Sequence, residues 1–214
     1  MTSYALVAGA FKPPHLGHVA MVNHYLKYTD HVKVIISDPK SEKTQRYVGS
    51  KAITAQDSKA CWDLMVNSEY VTVVVSNLPS PVSVVYDSVM PDTTPFKAGD
   101  EIYVGVSSKG NDAKRYARIQ GKAASGIIVK DPVKYASPAV RLPDAFAKLV
   151  KKCPYYDDIP SIKKGIDIME FSASDLRFFI EISDKCAIAK KCIGFYVGKK
   201  NVEKYIRILK ISEI

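Results

Sequence analysis

Short, almost continuous apolar runs alternate along this chain with stretches in which apolar residues recur every three to four positions. The runs at 4–8, 31–37, 70–76, 101–106 and 125–130 have the length and composition of strands buried on both faces of a sheet. Val19, Val22, Tyr25 and Leu26 mark a helix that opens near Gly17 and ends near Thr29. Further helices are expected over 54–67, over 82–90 with Ser80 as cap, over 113–118 and over 143–152. Trp62 and Tyr86 fall inside two of these helices among apolar neighbours and are expected to pack in the core. Residues 166–171 alternate apolar with polar, as a half-buried strand does, and two or three short helices should follow Arg177, with Ile206, Ile208 and Leu209 buried. Strands separated by helices imply right-handed crossovers, hence an α/β fold with a mostly parallel sheet. The expected organisation is a single domain over 1–214, with a core over 1–177 and a helical C-terminal extension over 178–214.

Two turns on this framework carry chemistry. Gly9-Ala10-Phe11-Lys12-Pro13-Pro14-His15-Leu16-Gly17-His18 joins the first strand to the first helix. Backbone N–H groups and the helix dipole both favour an anion at such a junction, where open α/β sheets place their ligands. Gly9 and Gly17 let a phosphate approach the main chain, while Pro13 and Pro14 stiffen the turn. His15 and His18, three residues apart at the start of a helix, can donate to phosphate oxygens from one side, and Lys12 adds a charge. The second turn, Phe171-Ser172-Ala173-Ser174-Asp175-Leu176-Arg177, reads as a capped helix start. There Arg177 can fork onto a β- or γ-phosphate while Ser172 and Ser174 hold other oxygens. On spacing alone this second turn reads more readily as an ordinary helix cap.

In order, the two turns resemble the paired motifs of the nucleotidyltransferase superfamily that carries an H-x-G-H signature, a group that includes nicotinamide and nicotinate mononucleotide adenylyltransferases and small cytidylyltransferases. Phe171 stands where that family's second motif has Ile, and Ser174 where it has Thr. The resemblance implies a Rossmann-like, mostly parallel sheet of five or six strands with helices on both faces. It implies Lys12, His15, His18 and Arg177 as catalytic residues and Gly9, Ala10, Phe11, Gly17, Ser172 and Ser174 as nucleotide contacts. By position after the fourth strand it adds Gly105, Ser107 and Asp112 toward the base and ribose. The implied reaction is transfer of AMP from ATP to a phosphorylated acceptor, with nicotinamide mononucleotide, giving NAD, as first candidate and pyrophosphate as leaving group. Mg²⁺ is expected to travel with the triphosphate. The double proline of the first turn favours ATP; CTP is the alternative, and a nucleotide-binding regulator without turnover is the alternative of another class. Lys43 and Arg46, on a polar stretch after the second strand, could hold the acceptor's phosphate, although a solvated loop explains them as well. Residues 131–164 read either as a lid or as a plain insertion.

Composition narrows the remaining choices. Against 22 acidic residues stand 31 basic ones, a net charge of +9 over 214 residues. A positive surface suits anionic substrates. Dispersed lysines without a nucleic-acid module argue against nucleic acid as partner. The H-x-x-H spacing lacks the second half of a zinc site, so no resident metal is expected. The four cysteines have no paired spacing, which suits reduced thiols and a cytoplasmic protein, and no stretch is apolar enough to span a bilayer. A homo-oligomer is left open.

Overall fold

The structure, a computed structural model, describes residues 1–38, 41–66, 68–108 and 112–211. In chain order the elements are β1 (Ser3–Gly9), α1 (Leu16–Tyr25), β2 (His31–Ile36), β3 (Tyr47–Val48), β4 (Lys51–Ala52), α2 (Ala55–Met65), β5 (Val71–Val75), α3 (Pro81–Asp87), β6 (Glu101–Val104), β7 (Ile128–Val129), α4 (Asp144–Val150), α5 (Pro160–Lys163), α6 (Ala173–Ile182), α7 (Ala187–Val197) and α8 (Val202–Lys210). They form an α/β, Rossmann-like fold that divides into two compact units. The first comprises Met1–Ala10, Val19–Lys40 and Val66–Ala139; the second comprises Phe11–His18, Ser41–Met65 and Val140–Ile214.

The first unit holds the sheet. Its strand order is β5-β2-β1-β6-β7, and every pairing is parallel. The chain builds outward from β1 to one side and then to the other, so the strand order reverses at the carboxyl ends of β1 and β6, the usual ligand position in open sheets. Leu6, Val34 and Ile36 are fully buried, as strands covered on both faces require. Helix α3 lays Val84 and Val85 against this core together with Leu6 and Ile35. Tyr25 closes the end of β6: its hydroxyl donates to the Val104 carbonyl at 3.0 Å and accepts the Val106 N–H at 3.1 Å.

The second unit is helical around a small β3–β4 hairpin. Phe146, Leu176, Phe179, Ile193, Tyr196, Tyr205 and Leu209 are buried together there. Ile206 is also buried, while Ile208 is only partly so.

Several local expectations are corrected. Residues 166–171 form no strand. The Asp167 carboxylate accepts the Met169 N–H at 2.9 Å and its carbonyl accepts the Glu170 N–H at 3.1 Å, so a side-chain-stabilised turn replaces extended backbone, leaving a lone bridge between Arg141 and Glu170. The sheet accordingly has five strands among the described residues. The basic helix expected over 113–118 is a 3-10 turn, Asp112–Tyr116, and the loop before it lies partly outside the described residues, at 109–111. Helix α1 stops at Tyr25, where the Thr29 hydroxyl bonds back to the Tyr25 carbonyl at 3.0 Å. Ser80 precedes α3 without a side-chain capping bond. Trp62 is fully buried, and the Tyr86 hydroxyl reaches the Arg115 carbonyl. Among the described residues no helix is long and apolar enough to cross a membrane.

Candidate active site

The turn at Phe11–His18 and the start of α6 both belong to the second unit. Phe11 adopts φ 47°, a left-handed conformation uncommon for a residue with a side chain, and the Lys12–Pro13 peptide is cis. The His18 N–H donates to the His15 carbonyl at 2.8 Å and so opens α1. In return the His15 N–H donates to His18 Nδ1 at 3.1 Å. A backbone N–H can only donate, so Nδ1 must present its lone pair, and the hydrogen of the neutral ring sits on Nε2. Burial disfavours the charged ring and lowers its pKa from 6.5 to about 4. At physiological pH His18 is a neutral ring with one fixed N–H donor.

The two imidazoles stack face to face, centroids 3.8 Å apart and planes 19° apart. Phe171 continues the column on the other face of His15, at 5.3 Å and 20°. Phe171 thus presents a flat apolar face to the His15 ring. Gly17 makes the column possible: a Cβ there would lie 3.0 Å from both His15 Nδ1 and Phe171 Cγ. Phe11 meets the His18 ring and Trp62 edge-on, at 5.0 and 5.3 Å, while Tyr196 meets Phe171 edge-on at 5.5 Å.

The second turn supplies the guanidinium. The Ser172 hydroxyl accepts the Asp175 N–H at 3.3 Å, capping α6. One turn inside, Arg177 donates through Nη1 to the Lys12 carbonyl at 2.5 Å and through Nη2 to the Ser174 hydroxyl at 3.1 Å. Lys12 is 6% exposed, with its Nζ 3.5 Å from Gln45 Oε1. Desolvation first, and then the neighbouring positive charge of Arg46, disfavours the Arg177 cation, against the pull of Asp175. Arg46 is exposed, so the two positive charges meet where Arg177 approaches the surface. Arg46 itself folds onto its own turn, donating to the Lys43 and Gln45 carbonyls at 3.1 and 2.7 Å, and Lys43 is exposed. Lys12, His15, His18, Arg46, Ser174 and Arg177 therefore gather within one unit.

Gly9, Ala10, Gly105, Ser107 and Asp112 belong to the first unit. Gly9 ends β1, its carbonyl accepting the Ser37 N–H at 3.0 Å, and Ala10 follows it. Gly105 has a packing reason of its own: its N–H reaches the Leu6 carbonyl at 2.8 Å, and a Cβ would fall 2.6 Å from Val7 Cγ2. Ser107 bridges to Ser137, and Asp112 pairs with Arg115 at 3.4 Å with both side chains largely exposed.

Tyr205 has no counterpart in the sequence reading. Fully buried on α8, it donates its hydroxyl to the Pro14 carbonyl. Its sequence neighbourhood reads as core packing, and nothing local points to a partner 191 residues away.

No protein-family model matches this chain, and no curated protein sequence matches it at a significant level. Among solved structures it is similar to the crystal structure of the NadR protein in complex with NR, at 10% identity and a TM-score of 0.40, over 100% of this chain and 77% of that one. At that score the likeness is too loose to say what this chain binds.

Proposed function

We propose that the chain is a nucleotidyltransferase that moves AMP from ATP onto a phosphorylated acceptor and releases pyrophosphate. The observation that carries the reading is the bond from the Arg177 guanidinium to the Lys12 carbonyl, which joins two cation-bearing turns 165 residues apart in sequence. Each turn alone is an ordinary helix start; joined, they offer imidazole, guanidinium and hydroxyl groups to one polyanion.

The protonation of His18 limits the chemistry. Its Nδ1 is engaged by a backbone N–H and its Nε2 carries hydrogen, so the ring has no lone pair with which to act as a general base. A phosphate nucleophile needs none, because it is already ionised at neutral pH. An acceptor oxygen forms its bond to the α-phosphorus as the bond from that phosphorus to the β-phosphate oxygen breaks, and the electron pair leaves with pyrophosphate. In this reading His18, with His15, donates to the oxygens on which charge accumulates, Lys12 and Arg177 neutralise the triphosphate, and Ser172 and Ser174 orient the leaving group. Arg46, by its charge beside Arg177, serves the same polyanion or the acceptor's phosphate.

Mg²⁺ enters as part of the triphosphate substrate. No group of three His, Cys, Asp or Glu side chains able to hold a metal occurs among the described residues. In this reading phosphate oxygens and water are its ligands.

Pyrophosphate release measured with ATP and with CTP, each against a panel of phosphorylated acceptors beginning with nicotinamide mononucleotide, tests the proposal. Turnover with ATP is expected. His18→Ala should lower kcat by about 10²- to 10³-fold, the cost of losing one preorganised donor. Turnover with CTP alone would reassign the nucleotide. Tight nucleotide binding without turnover in any pairing would make the chain a regulator.

A further inference from the structure

We infer that Tyr205 is a positioning residue for His18, acting through the single peptide group that joins Pro14 to His15. That peptide is held at both ends. Its carbonyl oxygen accepts the Tyr205 hydroxyl, and its N–H donates to His18 Nδ1 at 3.1 Å. In a planar trans peptide these two groups point in opposite directions, so a bond that fixes one fixes the other. A hydroxyl donated to the carbonyl also polarises the amide and strengthens its N–H as a donor. Tyr205 and Pro14 are both buried, and the Cys61 thiol is a second hydrogen-bonding neighbour of the same hydroxyl, which keeps that hydroxyl at the Pro14 side of α8 and away from solvent.

The consequence reaches the imidazole. If the Pro14–His15 plane turns, its N–H leaves Nδ1, and the His18 ring is free to carry its hydrogen on either nitrogen. The donor on Nε2 is then present only part of the time. Helix α8 thereby gains a role that its packing alone does not give it: it sets the tautomer of a ring in the first turn. The kinetic part of this inference rests on the nucleotidyltransferase reading, whereas the tautomer part holds for any ligand.

Tyr205→Phe removes one oxygen and keeps the ring. Imidazole ¹⁵N spectra of the wild type should show His18 with a bare Nδ1 and a protonated Nε2, and in the variant the two nitrogens should move toward averaged values. In the pyrophosphate assay kcat should fall about tenfold, as for a donor displaced by a fraction of an ångström, with KM for ATP within about twofold of wild type. Unchanged His18 nitrogens in folded Tyr205→Phe overturn the inference. Shifted nitrogens with no turnover in either protein uphold it and remove the assigned reaction. Should the variant not fold, exchange of the His15 amide hydrogen in the wild type decides. A clamped N–H exchanges only through global unfolding, and exchange through local opening would overturn the clamp.

Discussion

His18 bears two demands that a solvated histidine does not, since it stacks on a second imidazole and gives up its Nδ1 lone pair to the backbone. Burial in that setting disfavours the charged ring and lowers its pKa from 6.5 to about 4. Between these values the unfolded chain binds a proton that the native ring refuses, so native stability rises with pH across this window. The contribution is fully present above pH 6.5 and is lost as the pH falls toward 4. By linkage it amounts to about 2–3 kcal/mol between pH 7.5 and pH 4.5. Urea unfolding at those two pH values should show this loss in the wild type and a smaller one in His18→Asn, whose amide oxygen can still accept the His15 N–H. Equal losses in the two proteins would mean that the ring is solvated. The types and spacing of His15, His18 and Arg177 were legible in the sequence because each belongs to a local pattern. Tyr205 was not, because its partner is set by the packing of α8 and not by any periodicity.

Elements with a strong apolar pattern were readable nearly to their ends, and α2 and β5 differ from expectation by a residue or two at each terminus. The hairpin of β3 and β4 was not, since strands of two residues carry no period. At 166–171 alternation misled, because Asp167 offers the backbone a competing turn. Helix α6 matters most at this scale, for it carries the cap at its start and the guanidinium one turn further on. Ser172→Ala removes the bond that caps it and is expected to cost about 1 kcal/mol in urea unfolding, within a range of about 0.5–2. Ser174→Ala should cost less, since that hydroxyl serves Arg177 and not the helix end. Reversal of that order would place the cap at Ser174.

At the scale of the chain, residues 178–214 read in sequence as an extension appended to a core. In the structure α7 and α8 share a unit with the turn at Phe11–His18. Long-range packing of this kind leaves no trace in composition or period. The cysteines show a related economy: all four are buried, and burial pushes the Cys192 thiol up to about 12 and the Cys61 thiol higher still. A thiolate is the reactive form, so the native protein should resist thiol reagents. Labelling is expected to be slow without denaturant and to accelerate with the same urea midpoint as the loss of helical signal. Fast labelling of a native cysteine would show that the helical unit opens locally.

The Tyr205 hydroxyl on the Pro14 carbonyl also bears on how the protein is made. A ribosome releases the imidazoles and the neighbouring prolines well before the group that braces them, which follows Pro14 by 191 residues. A nascent chain halted between the two carries the imidazole pair without that brace, and the orientation of the Pro14–His15 peptide should be fixed only once α8 has docked.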